Sequence, residues 1–339
     1  MIVRLKHTVA LPLHRGSVLY CWVTALAVLA AGVATLCLGR LGIPLADLPS
    51  ALLGGAEGKT AFVLERLRGP RLATAVLTGA LLGLSGALFQ GVTRNPLGSP
   101  DVIGLGAGAG AGVAVTSLHA TGVPTPVGAV LGAAVAALLV HLCTGTGFRS
   151  PTRTIVAGIG VSAAAYALTQ YVVSVRLRDA AAQLAAYLAG SLNAASARDV
   201  AVAGVALAVT LPLAMTLPVS MRLLEMGDET AAGLGVDPDR VRTAAIVLSV
   251  VAAGAAVAAA GPIAFVALTA PQIARRTIGS AQAGVLPAAF TGALIMVLAD
   301  LAAQQVPAFD GLPVGVLTLG VGGCYLGHLL LDQHRKGRL

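Results

Sequence analysis

Charge is what this chain has least of. Its 339 residues include 22 Lys and Arg and 14 Asp and Glu, 11% in all, against 57% hydrophobic residues. Mean hydropathy is +0.88. So few charged groups cannot cover the surface of a water-soluble chain of this length. A bilayer tolerates such a composition, provided the backbone hydrogen-bonds to itself within helices. Aromatic residues are also scarce, at 4%. The basic residues, which give a net charge of +8, lie scattered over loops without a clustered stripe or aromatic platforms, and this excludes nucleic-acid binding.

Only four cysteines occur, Cys21, Cys37, Cys143 and Cys324. All fall inside apolar runs and lack metal-ligand spacing, so they read as small buried hydrophobes. Catalytic groupings are missing too. His119, His141 and His328 have no carboxylate or histidine partner at helical spacing. No cofactor or metal is expected, and the chain does not read as an enzyme. Asp300 is the one acid deep in an apolar run, with Gln304 and Gln305 beside it. An intramembrane acid is a functional candidate by default, and simple solvation near the outer end of its span is an equal reading.

Two glycine-rich stretches imitate nucleotide sites. Leu53–Thr60, LGGAEGKT, lacks the glycine a phosphate loop needs at the position of Leu53, and reads as a flexible connector. The alternating glycines from Gly104 to Gly112 follow no strand and sit in an apolar helix, where small residues let membrane helices pack closely.

What is present is a series of long apolar runs. Spans are predicted at about 17–38, 70–92, 102–118, 124–144, 153–174, 198–218, 241–260, 262–276, 282–304 and 313–331. The run at 262–276 is short enough to be partly re-entrant. Residues 1–339 then form one transmembrane domain, all-α with about ten helices, and no soluble domain is left over. The first run is too long for a signal peptide and reads as a retained helix held inside by Arg4, Lys6 and Arg15.

Ten spans place both termini in the cytoplasm. Fourteen basic residues then lie inside: these three with Arg94, Arg149, Arg153, Arg222, Arg240, Arg242, Arg275, Arg276, Arg335, Lys336 and Arg338. Eight lie outside: Arg40, Lys59, Arg66, Arg68, Arg71, Arg176, Arg178 and Arg198. The bias supports this orientation.

Three polar interruptions do not look like ordinary loops. The first runs from Arg68-Gly69-Pro70-Arg71 through Ser85-Gly86, Gln90 and Asn95-Pro96-Leu97 to Pro100. The second is Gly227-Asp228-Glu229-Thr230-Ala231-Ala232-Gly233-Leu234-Gly235-Val236. The third is Ala260-Gly261-Pro262-Ile263-Ala264-Phe265-Val266, followed by Pro271-Gln272-Ile273-Ala274-Arg275. Leu312-Pro313-Val314-Gly315 opens the last span.

In this order, across about residues 45–330, these motifs closely resemble the FecCD-type permeases of ABC importers for iron–siderophores, haem and vitamin B12. One departure is Gln272, where the family often has histidine. Another is Ala189-Gly190-Ser191-Leu192, which lacks the usual bulky residues before its Gly-Ser.

The resemblance implies a type II ABC importer permease, one half of a two-permease pore, in the bacterial cytoplasmic membrane. Its implied partners are two copies of a cytoplasmic ATPase, a periplasmic or lipid-anchored substrate-binding protein, and a second permease, identical or paralogous. The expected cargo is a ferric siderophore, with vitamin B12 or haem as alternatives. An ion-coupled secondary transporter is the alternative of another class, and Asp300 is the residue on which its coupling would have to rest.

Residues 219–240 form the longest inner loop. Leu223, Leu224, Ala231 and Leu234 give it an apolar face for short helices broken at Gly227 and Gly233–Gly235. With the resemblance, Glu225, Gly227, Asp228, Glu229, Leu234 and Gly235 are the candidate ATPase-coupling residues. Arg68 and Arg71, at the outer mouth, are the candidates for docking the binding protein. Thr78, Ser85, Gln90, Asn95, Pro96, Tyr166, Thr169 and Gln170 are candidates for a weakly polar path lining.

Overall fold

The computed structural model describes residues 2–5, 9–12, 15–39, 41–119, 123–145, 151–175, 187–280, 284–309 and 311–335. Lys6, Arg40, Arg149, Arg176, Arg178, Lys336 and Arg338, used above to orient the chain, lie outside these residues. An antiparallel pair of strands, β1 (Ile2–Leu5) and β2 (Val9–Pro12), precedes the helices, with Ile2 opposite Pro12 and Leu5 opposite Val9.

Ten helices of 13 residues or more follow among the described residues. In chain order the helices are α1 (Arg15–Cys37), α2 (Gly69–Thr93), α3 (Leu105–His119), α4 (Thr125–Cys143), α5 (Pro151–Val175) and α6 (Ala197–Ala214). Two short ones, α7 (Pro218–Glu225) and α8 (Asp228–Gly233), precede α9 (Pro238–Ala260), α10 (Val266–Ile278), α11 (Val285–Gln305) and α12 (Val314–Arg335). Each predicted span overlaps one of these ten helices. At 13 residues α10 is about 20 Å long, too short to cross ~30 Å of hydrocarbon. An extended stretch from Gly261 and the left-handed Phe265 (φ 68°) lead into it.

The bundle is built around α2, which packs against α6, α9, α10 and α11. Every residue from Thr78 to Phe89 is buried. A helix apolar on all sides belongs in the middle of a membrane bundle. Lipid is as apolar as leucine, so close packing must hold it there. A Cβ added to Gly79 would fall 2.4 Å from the Gly292 carbonyl oxygen, and one on Gly83 would fall 2.1 Å from that of Ala288. Thus α2 and α11 meet almost backbone to backbone, which only glycine at these positions allows. The outer helices α1, α4, α5 and α6 expose long apolar faces, including Trp22, Leu26, Leu131, Leu138, Val156 and Val205.

Three expectations are corrected. The segment before α2 is folded: Gly58–Phe62 is helical and a wide π-type turn, Val63–Arg68, runs on into α2. Val63 is buried with Leu36, Ile43 and Leu48, so a flexible connector does not describe it. Cys143 and Cys324 are exposed on helix surfaces, and Cys21 and Cys37 are half-buried, with Cys37 packing against Leu36, Ile43, Leu48 and Val63. Asp300 is not solvated: it is 1% exposed and ion-paired.

Candidate functional site

Where the chain turns between α6 and α9, proline and glycine set the geometry. Pro218 starts α7, and Asp237 caps α9 by accepting from the backbone N–H groups of Asp239 and Arg240 at 3.1 Å. Between α7 and α8, Gly227 has φ 107° and ψ 152°, a conformation essentially reserved for glycine. Gly235 (φ 84°) follows α8. Met221, Leu224 and Ala231 turn inward and are buried. Met226 and Leu234 face out, 64% and 59% exposed, as does Glu229. Leu234 therefore does not share one face with Leu224 and Ala231, as the sequence pattern had it.

Two arginines from the bundle fasten this element. Arg94 ends α2 in the left-handed region and donates to the Leu224 carbonyl oxygen and to Asp228 Oδ1, the latter at 3.2 Å. Arg242, near the start of α9, donates to the same oxygen at 2.6 Å. The Arg242 bond holds the Asp228 carboxyl below the usual carboxylate range against the opposing effect of desolvation, and the Arg242 and Arg94 charges add to the lowering. Asp228 also stands in the first turn of α8, where a carboxylate suits the helix dipole. Movement of α7 and α8 is thereby tied to α2 and α9.

The same end of α2 carries a second polar cluster, one that spacing alone did not single out. Gln272 of α10 is 2% exposed. Its amide donates to Gln90 Oε1 at 2.7 Å and to the Pro96 carbonyl oxygen at 2.8 Å. Its own oxygen accepts from Arg275 at 2.9 Å. Gln90 in turn donates to the Leu268 carbonyl oxygen. Asn95 Oδ1 accepts from the backbone N–H of Leu97 and shapes the turn holding Pro96. One buried amide thus joins α2, α10 and the 95–98 turn.

The remaining path candidates separate. Thr78 is enclosed and donates to the Thr74 carbonyl oxygen. Ser85 and Ser249 are enclosed at the crossing of α2 and α9, each hydroxyl bonding the other residue's carbonyl oxygen. Thr169 is buried and donates to Ala165. Of the three candidates on α5, Tyr166 and Gln170 present surface, with the Gln170 amide donating to the Tyr166 hydroxyl at 3.1 Å.

At the other end of the bundle both candidate docking arginines have partners in the chain. Arg68 donates to the carbonyl oxygens of Thr35, Leu36 and Leu38, at and just past the C-terminal end of α1. Arg71 pairs with Asp300 Oδ1 at 2.7 Å, and Gln304 donates to Oδ2. Among the described residues, no group of three or more His, Cys, Asp or Glu side chains is placed to hold a metal ion.

A family model for the FecCD transport family matches residues 26–332. The chain belongs to the FecCD transport family. It is a multi-pass membrane protein, the permease subunit of an ABC transporter, and is not itself catalytic. Among its relatives is the ferric enterobactin transport system permease FepG of Escherichia coli, 39% identical over 95% of this chain and 98% of that one. The achromobactin transport system permease CbrC of Dickeya dadantii is 34% identical over 91% and 90%. A solved inward-facing ABC transporter, assigned to the metal-chelate type, superposes with a TM-score of 0.82 at 24% identity, over 92% of this chain and 98% of that one, and shares the fold.

Proposed function

We propose that this permease moves a ferric siderophore across the bacterial cytoplasmic membrane, driven by ATP hydrolysed on a separate subunit. The observation that carries the reading is the α7–α8 element. It is tied to α2 and α9 through Asp228 and turns Met226, Glu229 and Leu234 outward. A helical knob with exposed apolar and acidic side chains is the surface a docking ATPase requires, and its ties give that subunit leverage on the bundle. The cargo follows relatives named for ferric enterobactin and achromobactin.

In this reading residues 219–240 face the cytoplasm, as do both termini, supported by Arg94, Arg222, Arg240 and Arg242 at one end of the bundle. Two ATPase copies serve two permeases, identical or paralogous. Tyr166 and Gln170 of α5 line the path between the permeases. A periplasmic or lipid-anchored binding protein delivers the chelate at the opposite end, where Arg68 and Arg71 lie.

Proteoliposomes holding the permease with its ATPase, supplied with loaded binding protein, test this directly. Uptake of ferric enterobactin or another ferric siderophore should require ATP inside the vesicle. Uptake of cyanocobalamin or haem in its place would overturn the cargo. Uptake that persists without the ATPase and collapses with the ion gradient would overturn the class.

A further inference from the structure

We propose that the segment between α1 and α2, residues 41–62, is a membrane-interface anchor whose apolar tip sits in the outer headgroup region beside α1. The proposal rests on the multi-pass architecture and on the orientation proposed above, and is independent of the cargo.

The segment is folded, and its depth is fixed. The backbone N–H of Ile43 donates to the Leu36 carbonyl oxygen at 3.0 Å, so the chain turns back alongside the last turn of α1. Arg68 fastens the other arm to carbonyls of that same turn. Ile43, Leu48 and Val63 pack with Leu36 as a small core of their own. At 23 residues, α1 is about 34 Å long and just spans the hydrocarbon, so its last turn lies at the boundary with water. The segment is therefore held at interfacial depth.

Its outward surface is apolar where an aqueous loop would be polar. Leu45, Leu52, Leu53 and Phe62 are 66%, 61%, 89% and 57% exposed. The left-handed Gly54 (φ 91°) makes the bend that presents Leu52 and Leu53 at the tip. Short helical turns at Leu48–Ser50 and Ala51–Gly55 satisfy the backbone locally, which a segment at the edge of lipid requires. Asp47, Glu57 and Lys59 are exposed on the same segment, so it has the mixed character of an interfacial element.

Continuity selects lipid as the occupant. Trp22, Val23, Leu26 and Leu29 of α1 are each more than half exposed and form a lipid-facing surface, and Leu38, Leu41 and Leu45 extend it past the end of α1. Exposed apolar surface of this extent marks a membrane or protein contact, and here it prolongs a membrane contact.

The test is a fluorescent probe at Leu53→Cys in the intact importer in phosphatidylcholine nanodiscs, with Cys21, Cys37, Cys143 and Cys324 replaced by serine or alanine. A probe at Trp22→Cys is the lipid reference. The Leu53 probe should emit towards the blue, as at position 22, and be quenched by lipids brominated near the headgroup more than by aqueous iodide. The pattern should not change on adding binding protein. Water-like emission quenched mainly by iodide would overturn the proposal. So would a blue shift seen only with binding protein, which would give the patch to that protein instead.

Discussion

Arg242 and Asp228 meet at 2.6 Å and join the start of α9 to the first residue of α8, while Arg94 shares the same carboxylate oxygen from the end of α2. One acidic side chain thus connects a six-residue surface helix to two long helices of the bundle. Asp228→Ala should leave the permease inserted and folded but sharply reduce siderophore-stimulated ATP hydrolysis. ATPase co-purification and uptake both at wild-type level would remove the coupling role. Asp228 has its carboxyl pKa lowered in the folded protein, so this tie is present above the unfolded value of ~3.9 and is lost only as pH falls through the folded pKa. Coupling should therefore not vary between pH 6 and 8 through this group.

Gly227 makes a separate prediction through the backbone. A Cβ there would meet only Thr230 Oγ1, at 3.9 Å, so space is not the constraint. The φ of 107° with ψ of 152° is, at a cost of about 1–3 kcal/mol for any other residue. Gly227→Ala should accordingly impair coupling nearly as much as Gly227→Leu. A graded loss that follows side-chain volume in transport assays would show that contact, not conformation, matters.

Gln272 holds three elements with one amide. Gln272→Leu keeps the volume but removes the acceptor for Arg275 and leaves Gln90 Oε1 and the Pro96 carbonyl oxygen without their donor. An unsatisfied buried polar group costs about 1–3 kcal/mol, so the variant should melt at a lower temperature in detergent. Gln272→Glu retains the bond from Arg275 but sets a carboxylate oxygen against Gln90 Oε1 and the Pro96 carbonyl oxygen, so it too should melt at a lower temperature. Equal melting of wild type and the leucine variant would show the network to be incidental.

The apolar runs were legible because twenty residues without charge have few alternatives to a membrane helix. The α7–α8 break was legible because Gly227 interrupts a helical pattern. The partners of charged groups were not. Nothing in the spacing of Arg68 and Arg71 says that one caps α1 and the other meets an acid 229 residues later. Nor could composition place α2 at the centre, so Thr78 and Ser85 read as pathway groups although both are enclosed between helices. Their hydroxyls satisfy backbone carbonyls, a use that looks the same in sequence as a polar lining.

The arginine contacts sharpen what docking experiments should find. Reversing Arg68 to glutamate removes three bonds to the end of α1 and places a carboxylate against carbonyl oxygens. Arg68→Glu with Arg71→Glu should therefore weaken binding-protein docking most at low salt, with the difference shrinking as screening rises, and should also lower thermal stability. Binding measured against ionic strength separates the two effects, because the loss of α1 capping persists at high salt. A salt-independent docking defect would leave only the structural role.

Asp300 is where the importer and ion-carrier readings part. It is 1% exposed, with one oxygen taken by Arg71 and the other by Gln304, so both of its oxygens have partners within the chain. Asp300→Asn keeps an acceptor for Arg71 but removes the charge. Asp300→Leu leaves a guanidinium only 21% exposed without a partner, a change that typically costs about 3–5 kcal/mol. The asparagine variant should retain uptake within a few-fold of wild type and remain fully ATP-dependent, while the leucine variant should fail by losing stability. Pairing Asp300→Leu with Arg71→Met should restore much of that stability, since no charge is then left buried. Both variants are to be measured in proteoliposomes with the ATPase and binding protein present, alongside thermal unfolding. An asparagine variant that folds, binds ATPase and yet transports nothing would contradict the structural role and return the residue to the centre of the transport cycle.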